Sequence, residues 1–111
     1  MPVYLFTSRY RPEALQAQIR VPQDRVEASR VPVGKLGGKI LGGWHAIGEV
    51  NFVAIIELPS DQAAATLAIT FVAGGAAEDH KWTRLMSSEE WVEAVKAAAH
   101  TEYRPATAVQ S

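Results

Sequence analysis

From Val50 to Ile56 the chain is apolar at nearly every position, without the polar residues that alternate along a strand with one wet side. Such a run predicts a strand covered on both faces. Upstream, Val3 to Arg9 is rich in β-branched and aromatic residues and is interrupted at Arg11-Pro12, which predicts a first strand. Pro12 then suits the first turn of a short helix, in which Ala14, Leu15, Gln18 and Ile19 share a face before Pro22 closes the segment. Asp24 and Glu27 form a capping-box pattern ahead of Val26, Val33 and Leu36. Pro32 lacks a backbone donor and clashes with the turn before it, so this second helix is expected to kink or stop near Arg30 to Val31.

Gly37-Gly38 ends the helical region before a second strand, Lys39 to Ile47, whose Gly42-Gly43 pair marks a bulge or a close approach to the backbone. The Gly48-Glu49 turn leads directly into the apolar strand. After Pro59, Ser60 or Asp61 caps a helix with Ala64, Leu67, Ala68 and Phe71 on one face, ending at Gly74-Gly75. Ala77 to Leu85 alternates Glu78, His80, Trp82 and Arg84 with Asp79, Lys81, Thr83 and Leu85, which predicts a polar edge strand or a pocket wall. Ser87-Ser88-Glu89-Glu90 is a capping box with Met86 and Trp91 placed as a hydrophobic staple, and Val92, Val95 and Ala99 extend the apolar face of a last helix to about Ala98.

The order is strand, helix, strand, strand, helix, strand and a final helix. It predicts an α+β fold: a ferredoxin-like βαββαβ sandwich with an extra C-terminal helix, and with helices on one sheet face only. The third strand asks for cover on both faces, and a second copy packed sheet to sheet about an isologous axis supplies it. A homodimer of the dimeric α/β-barrel type is therefore expected. Residues 1–100 are read as one domain and residues 101–111 as a C-terminal tail that frays or lies across a neighbour.

Several segments also carry a resemblance. Arg25, Leu36-Gly37-Gly38-Lys39-Ile40, Gly48-Glu49-Val50-Asn51-Phe52-Val53-Ala54-Ile55, Asp61 with its alanine-rich helix, and Ser87 to Trp91 resemble the GYD-domain family of small bacterial proteins. That family is named for a Gly-x-Tyr-Asp turn before an apolar strand. The likeness spans roughly two-thirds of the chain. Val50 stands where the motif has Tyr, and Asn51 where it has Asp, so a role for that phenol or carboxylate does not carry over. The resemblance implies a ferredoxin-like fold and association through the sheet, and it implies no particular activity.

Composition narrows the function classes. The 111 residues are 48% hydrophobic and 21% charged with a net charge of -1, which offers no field to attract nucleic acid or an anionic membrane. The apolar N-terminal stretch is too short for a membrane span or a signal peptide. The absence of cysteine removes disulfides, thiol nucleophiles and Cys-based zinc sites, and fits a cytoplasmic protein. His45, His80 and His100 lack the i, i+3 or i, i+4 spacing of a helical metal site, so neither a metal nor another cofactor is expected. The glycine pairs lack a phosphate-loop context, and the serines lack a nucleophile elbow.

The remaining candidates sit on the strands. His45 and His80 are core-edge histidines or, on a pocket wall, a general base or an iron ligand. Asn51 closes the turn by a side-chain bond to backbone, or orients a ligand. Trp44 and Trp82 pack in a core or interface, or wall a flat ligand, and Arg84 shares its face with Glu78 and His80 as an anion site or as part of a solvated edge. Two functions follow. One is a homodimeric binding or regulatory module with a sheet-face cavity for a small apolar ligand. The other is a small dimeric α/β-barrel enzyme, monooxygenase- or isomerase-like, acting on an aromatic or haem-like substrate through His45, Asn51 and His80, a reading by fold analogy.

Overall fold

A computed structural model describes residues 1–106. The elements are β1 (Val3–Tyr10), α1 (Pro12–Arg20), α2 (Arg25–Lys35), β2 (Lys39–His45), β3 (Phe52–Glu57), α3 (Asp61–Gly74), β4 (Ala77–Leu85) and α4 (Ser88–Ala98). The four strands form one antiparallel sheet in the order β2-β3-β1-β4. That is the ferredoxin-like α+β topology, with α1 and α2 together making the first crossover. Of the expected tail, Thr101 to Ala106 forms no helix or strand, and residues 107–111 lie outside the described residues.

The strand period sorts side chains onto two faces. Tyr4, Phe6 and Ser8 of β1 and Phe52, Ala54 and Ile56 of β3 are buried on one face, where Val33 of α2 and Ala64 and Leu67 of α3 complete the core. The intervening residues Leu5, Val53 and Ile55 are only half-buried. One chain thus covers one side of β3, although its sequence is apolar on both.

Local chemistry sets the helix ends. Asp24 accepts the Glu27 amide at 3.1 Å, Ser60 accepts the Ala63 amide at 3.2 Å, and Ser87 and Glu90 complete a reciprocal capping box at 3.0 and 3.1 Å. At α2 the box is half made, because the Glu27 carboxylate turns to Arg30 instead. Of the kink or stop expected near Arg30 to Val31, the stop does not occur, and α2 runs through Pro32 to Lys35. Val33, 1% exposed, anchors its last turn. Gly37, at φ 79°, closes that turn in a Schellman motif, with Gly38 N–H on the Val33 carbonyl and Gly37 N–H on Gly34, each at 3.0 Å.

Two bulges move residues from their expected places. In β2 the extra residue is Leu41, one position before the glycine pair, and Arg30 donates to the Ile40 carbonyl there at 3.2 Å. Gly42 and Gly43 instead permit close approach. The Trp44 ring lies over Gly42, and a Cβ at Gly43 would stand 2.7 Å from Cγ1 of Val26 on α2. β2 also ends at His45 rather than Ile47, and β3 begins at Phe52 rather than Val50. In β4 the register shifts opposite Ser8, with Asp79 at φ 53°. Simple alternation fails there. Glu78 pairs with Arg9 on the face away from His80, so Glu78 does not share a face with His80 and Arg84.

α4 behaves differently from α3. It buries none of its residues, and Trp91, Val92 and Val95 are 63%, 48% and 54% exposed. The chain extends 66 Å along its longest axis, and its radius of gyration of 18.4 Å exceeds the ~13 Å of a compact chain this long. Among the described residues, no helix is long and apolar enough to cross a membrane.

Candidate functional site

The helix-covered face is densely filled near Ile56, Leu58, Leu67 and Val33 but not near Tyr10. There the residues facing one another across the layers are small: Ser8 on β1, Ala77 on β4, Ala28 and Ser29 on α2, and Gly74 at the end of α3. They leave a cavity of about 280 Å³, whose aromatic walls are Phe6, Tyr10, Phe52 and Phe71. Arg25, Pro32, Thr70, Ala76 and His80 complete it. Pro32 has no N–H for the Ala28 carbonyl four residues before it, so the helix loses a bond beside the cavity.

Tyr10 is the most constrained side chain of the wall. Its amide donates to the Asn51 carboxamide oxygen at 2.9 Å, and its hydroxyl lies 2.9 Å from His45 Nε2, with the two rings stacked at 19°. Burial pushes the Tyr10 phenol above its ordinary value; Arg25 pulls it down, and Asp24 raises it. The hydroxyl is therefore protonated at neutral pH and shares a hydrogen bond with His45 Nε2.

His80 lines the cavity on β4. Its Nε2 donates to the Ala77 carbonyl, which can only accept, at 3.1 Å. Nδ1 is buried and has no partner among the described residues. Trp82 lies behind the wall, packed on Phe6 at 4.6 Å and stacked on Phe71 at 6.4 Å between centroids. Its Nε1 is likewise buried without a partner among the described residues.

The other sequence candidates fall outside the cavity. Asn51 spends its side-chain oxygen on Tyr10, while its amide donates to the Ser8 carbonyl and its carbonyl accepts from Ala46, so it stitches the β2–β3 connection to β1. His45 stands behind the wall, bonded to the Tyr10 hydroxyl, stacked on its ring and edge-on to Phe52 at 5.5 Å between centroids. Trp44 is 56% exposed on the opposite sheet face, and Arg84 lies exposed with its guanidinium 5.9 Å from the centre of the Tyr4 ring. A cavity enclosed between two sheets needs a second chain; the single chain forms a separate cavity of its own under α2 and α3. Tyr10, Arg25 and Phe71 were missed as site residues. A signal existed for Tyr10, which continues the Phe6, Ser8 alternation, but none placed Arg25 there. No group of three or more His, Asp or Glu among the described residues is arranged to hold a metal ion. The arrangement suits binding: aromatic surface, few polar atoms and one cation.

No curated protein matches the sequence. Among solved structures the chain is similar to protein Atu4242 from Agrobacterium tumefaciens, at 20% identity and a TM-score of 0.47, over 79% of this chain and 94% of that one. It is also similar to a mutant of MhuD with two manganese protoporphyrin IX bound per active site, at 15% identity and a TM-score of 0.46, over 79% of this chain and 95% of that one. The sequence profile of the GYD domain matches residues 4–95, from β1 into α4, and the chain belongs to the GYD domain family.

Proposed function

We propose that this protein is a small homodimeric binding or regulatory module, whose cavity beneath α2 and α3 holds a compact apolar or aromatic ligand. The observation that carries the reading is the cavity itself, about 280 Å³ and walled by four aromatic rings. That size lies just below the ~300–1,000 Å³ of pockets for drug-sized molecules, so a single ring suits it better than a porphyrin. The dimer is read from the other sheet face, where Leu5, Val53 and Ile55 are half-buried and Leu41 and Trp44 are 50% and 56% exposed. A second copy laid sheet to sheet would give β3 its missing cover. A cysteine-free chain acting in the cytoplasm fits this reading.

The enzymic alternative has less support. His80 lines the cavity, but His45 and Asn51 stand outside its walls, so no two of its candidate groups face a common reacting position. Binding therefore comes first. Native mass spectrometry of gently purified protein should show a retained small molecule, and a monocyclic aromatic panel should shift the amide resonances of Phe52, Thr70, Phe71 and Ala77. Protein that is ligand-free and insensitive to every member of the panel would overturn the reading.

A further inference from the structure

The cavity carries one formal charge. Arg25 is the only charged residue of its wall, which contains no Asp or Glu. The neighbouring Asp24 is occupied as the N-cap of α2. Arg9, Arg11 and Arg30 each meet a carboxylate within 4.0 Å, whereas the Arg25 guanidinium donates to the neutral Gln23 side chain at 2.7 Å and, like Arg20 and Arg84 away from the cavity, pairs with no carboxylate among the described residues. Arg25 is half-buried at the cavity wall, and its remaining N–H groups match the two oxygens of a carboxylate.

Three of the other polar side chains of the wall are already engaged, which leaves Ser8 and His80 beside Arg25. The Ser29 and Thr70 hydroxyls donate to backbone carbonyls of their own helices, each at 2.8 Å, and the Tyr10 hydroxyl is held by His45. We infer that the cavity takes a small aromatic carboxylate of about benzoate size, its ring among Phe6, Phe52 and Phe71 and its carboxylate on Arg25. This rests on the reading of the cavity as a binding site.

The test uses full-length protein and three probes of matched shape: benzoate, neutral benzamide and cationic benzylamine, each titrated by calorimetry and by amide resonance shifts. Benzoate should bind about tenfold or more tightly than benzamide, with benzylamine weakest. Arg25→Gln should remove the preference for benzoate while benzamide still shifts Phe52 and Phe71, and Arg25→Lys should keep part of it. Should all three probes bind wild type equally, or should Arg25→Gln leave the preference intact, the carboxylate assignment fails and the cavity reading survives. Should none of them perturb the cavity resonances, both fail.

Discussion

Ile55 and Ile56 are adjacent on β3 and chemically identical, yet one points at a packed helical layer and the other at a face with no helix on it. Ile56 is 1% exposed and Ile55 only half-buried. The same contrast runs across the sheet, with Tyr4 and Phe6 dry and Leu5 wet along β1. Burial of apolar surface drives folding in proportion to area, so the helical face holds the monomer together and the open face has stabilisation left to gain. The two faces therefore divide the work. One side folds and carries the cavity, and the other is read as the surface for a partner copy.

Substitutions on β3 separate these roles most sharply. Ile56→Ala should cost about 3 kcal/mol in urea unfolding, within the usual range for a buried large-to-small change, and by the same amount at every protein concentration. Ile55→Ala should cost less in dilute protein and show a concentration-dependent loss. Equal, concentration-independent losses would erase the distinction between the faces. Next in size is Gly43→Ala, whose Cβ would crowd Val26 and should cost about 1–3 kcal/mol. Gly34→Ala, with nothing within 4 Å, should instead stabilise α2 by about 0.5–1 kcal/mol. Matching signs for the two glycines would contradict the packing of α2 on β2.

Smaller again is Asn51→Ala, which removes the acceptor for the Tyr10 amide and should cost about 1 kcal/mol. Asn51→Asp retains an acceptor oxygen and should remain near wild type; if it fell as far as alanine, the linking role would be wrong. The smallest effect is seen only in alkali. Burial, with the hydrogen bond to Asp61, raises the Tyr4 phenol above 10.0. The folded state thus holds this proton more tightly than the unfolded chain. Its contribution is complete below pH 10 and is lost as pH rises from there through the folded value. Tyr4→Phe should flatten that part of the decline, and an unchanged profile would assign it elsewhere.

What was legible in the sequence was local. The caps at Asp24, Ser60 and Ser87 act within one helical turn, and the face of α3 follows from a period that needs no partner. The bulges were not legible, because Leu41 and Asp79 are extra only relative to the strand across from them. That is why Glu78 changed faces. Pro32 reads as a stop, but the buried Val33 and the closure at Gly37 hold the turn beyond it. The site was half legible: alternation put His80 and Trp82 on one face, whereas Arg25 and Phe71 reach the cavity from helices whose placement is tertiary.

The division between the faces is tested most directly by the molar mass in solution. Light scattering on wild-type protein at micromolar concentration should give twice the chain mass of 12.1 kDa, and Ile55→Lys should return it to the mass of one folded chain. Wild-type protein at 12.1 kDa across all concentrations, or an Ile55→Lys dimer, would contradict the account.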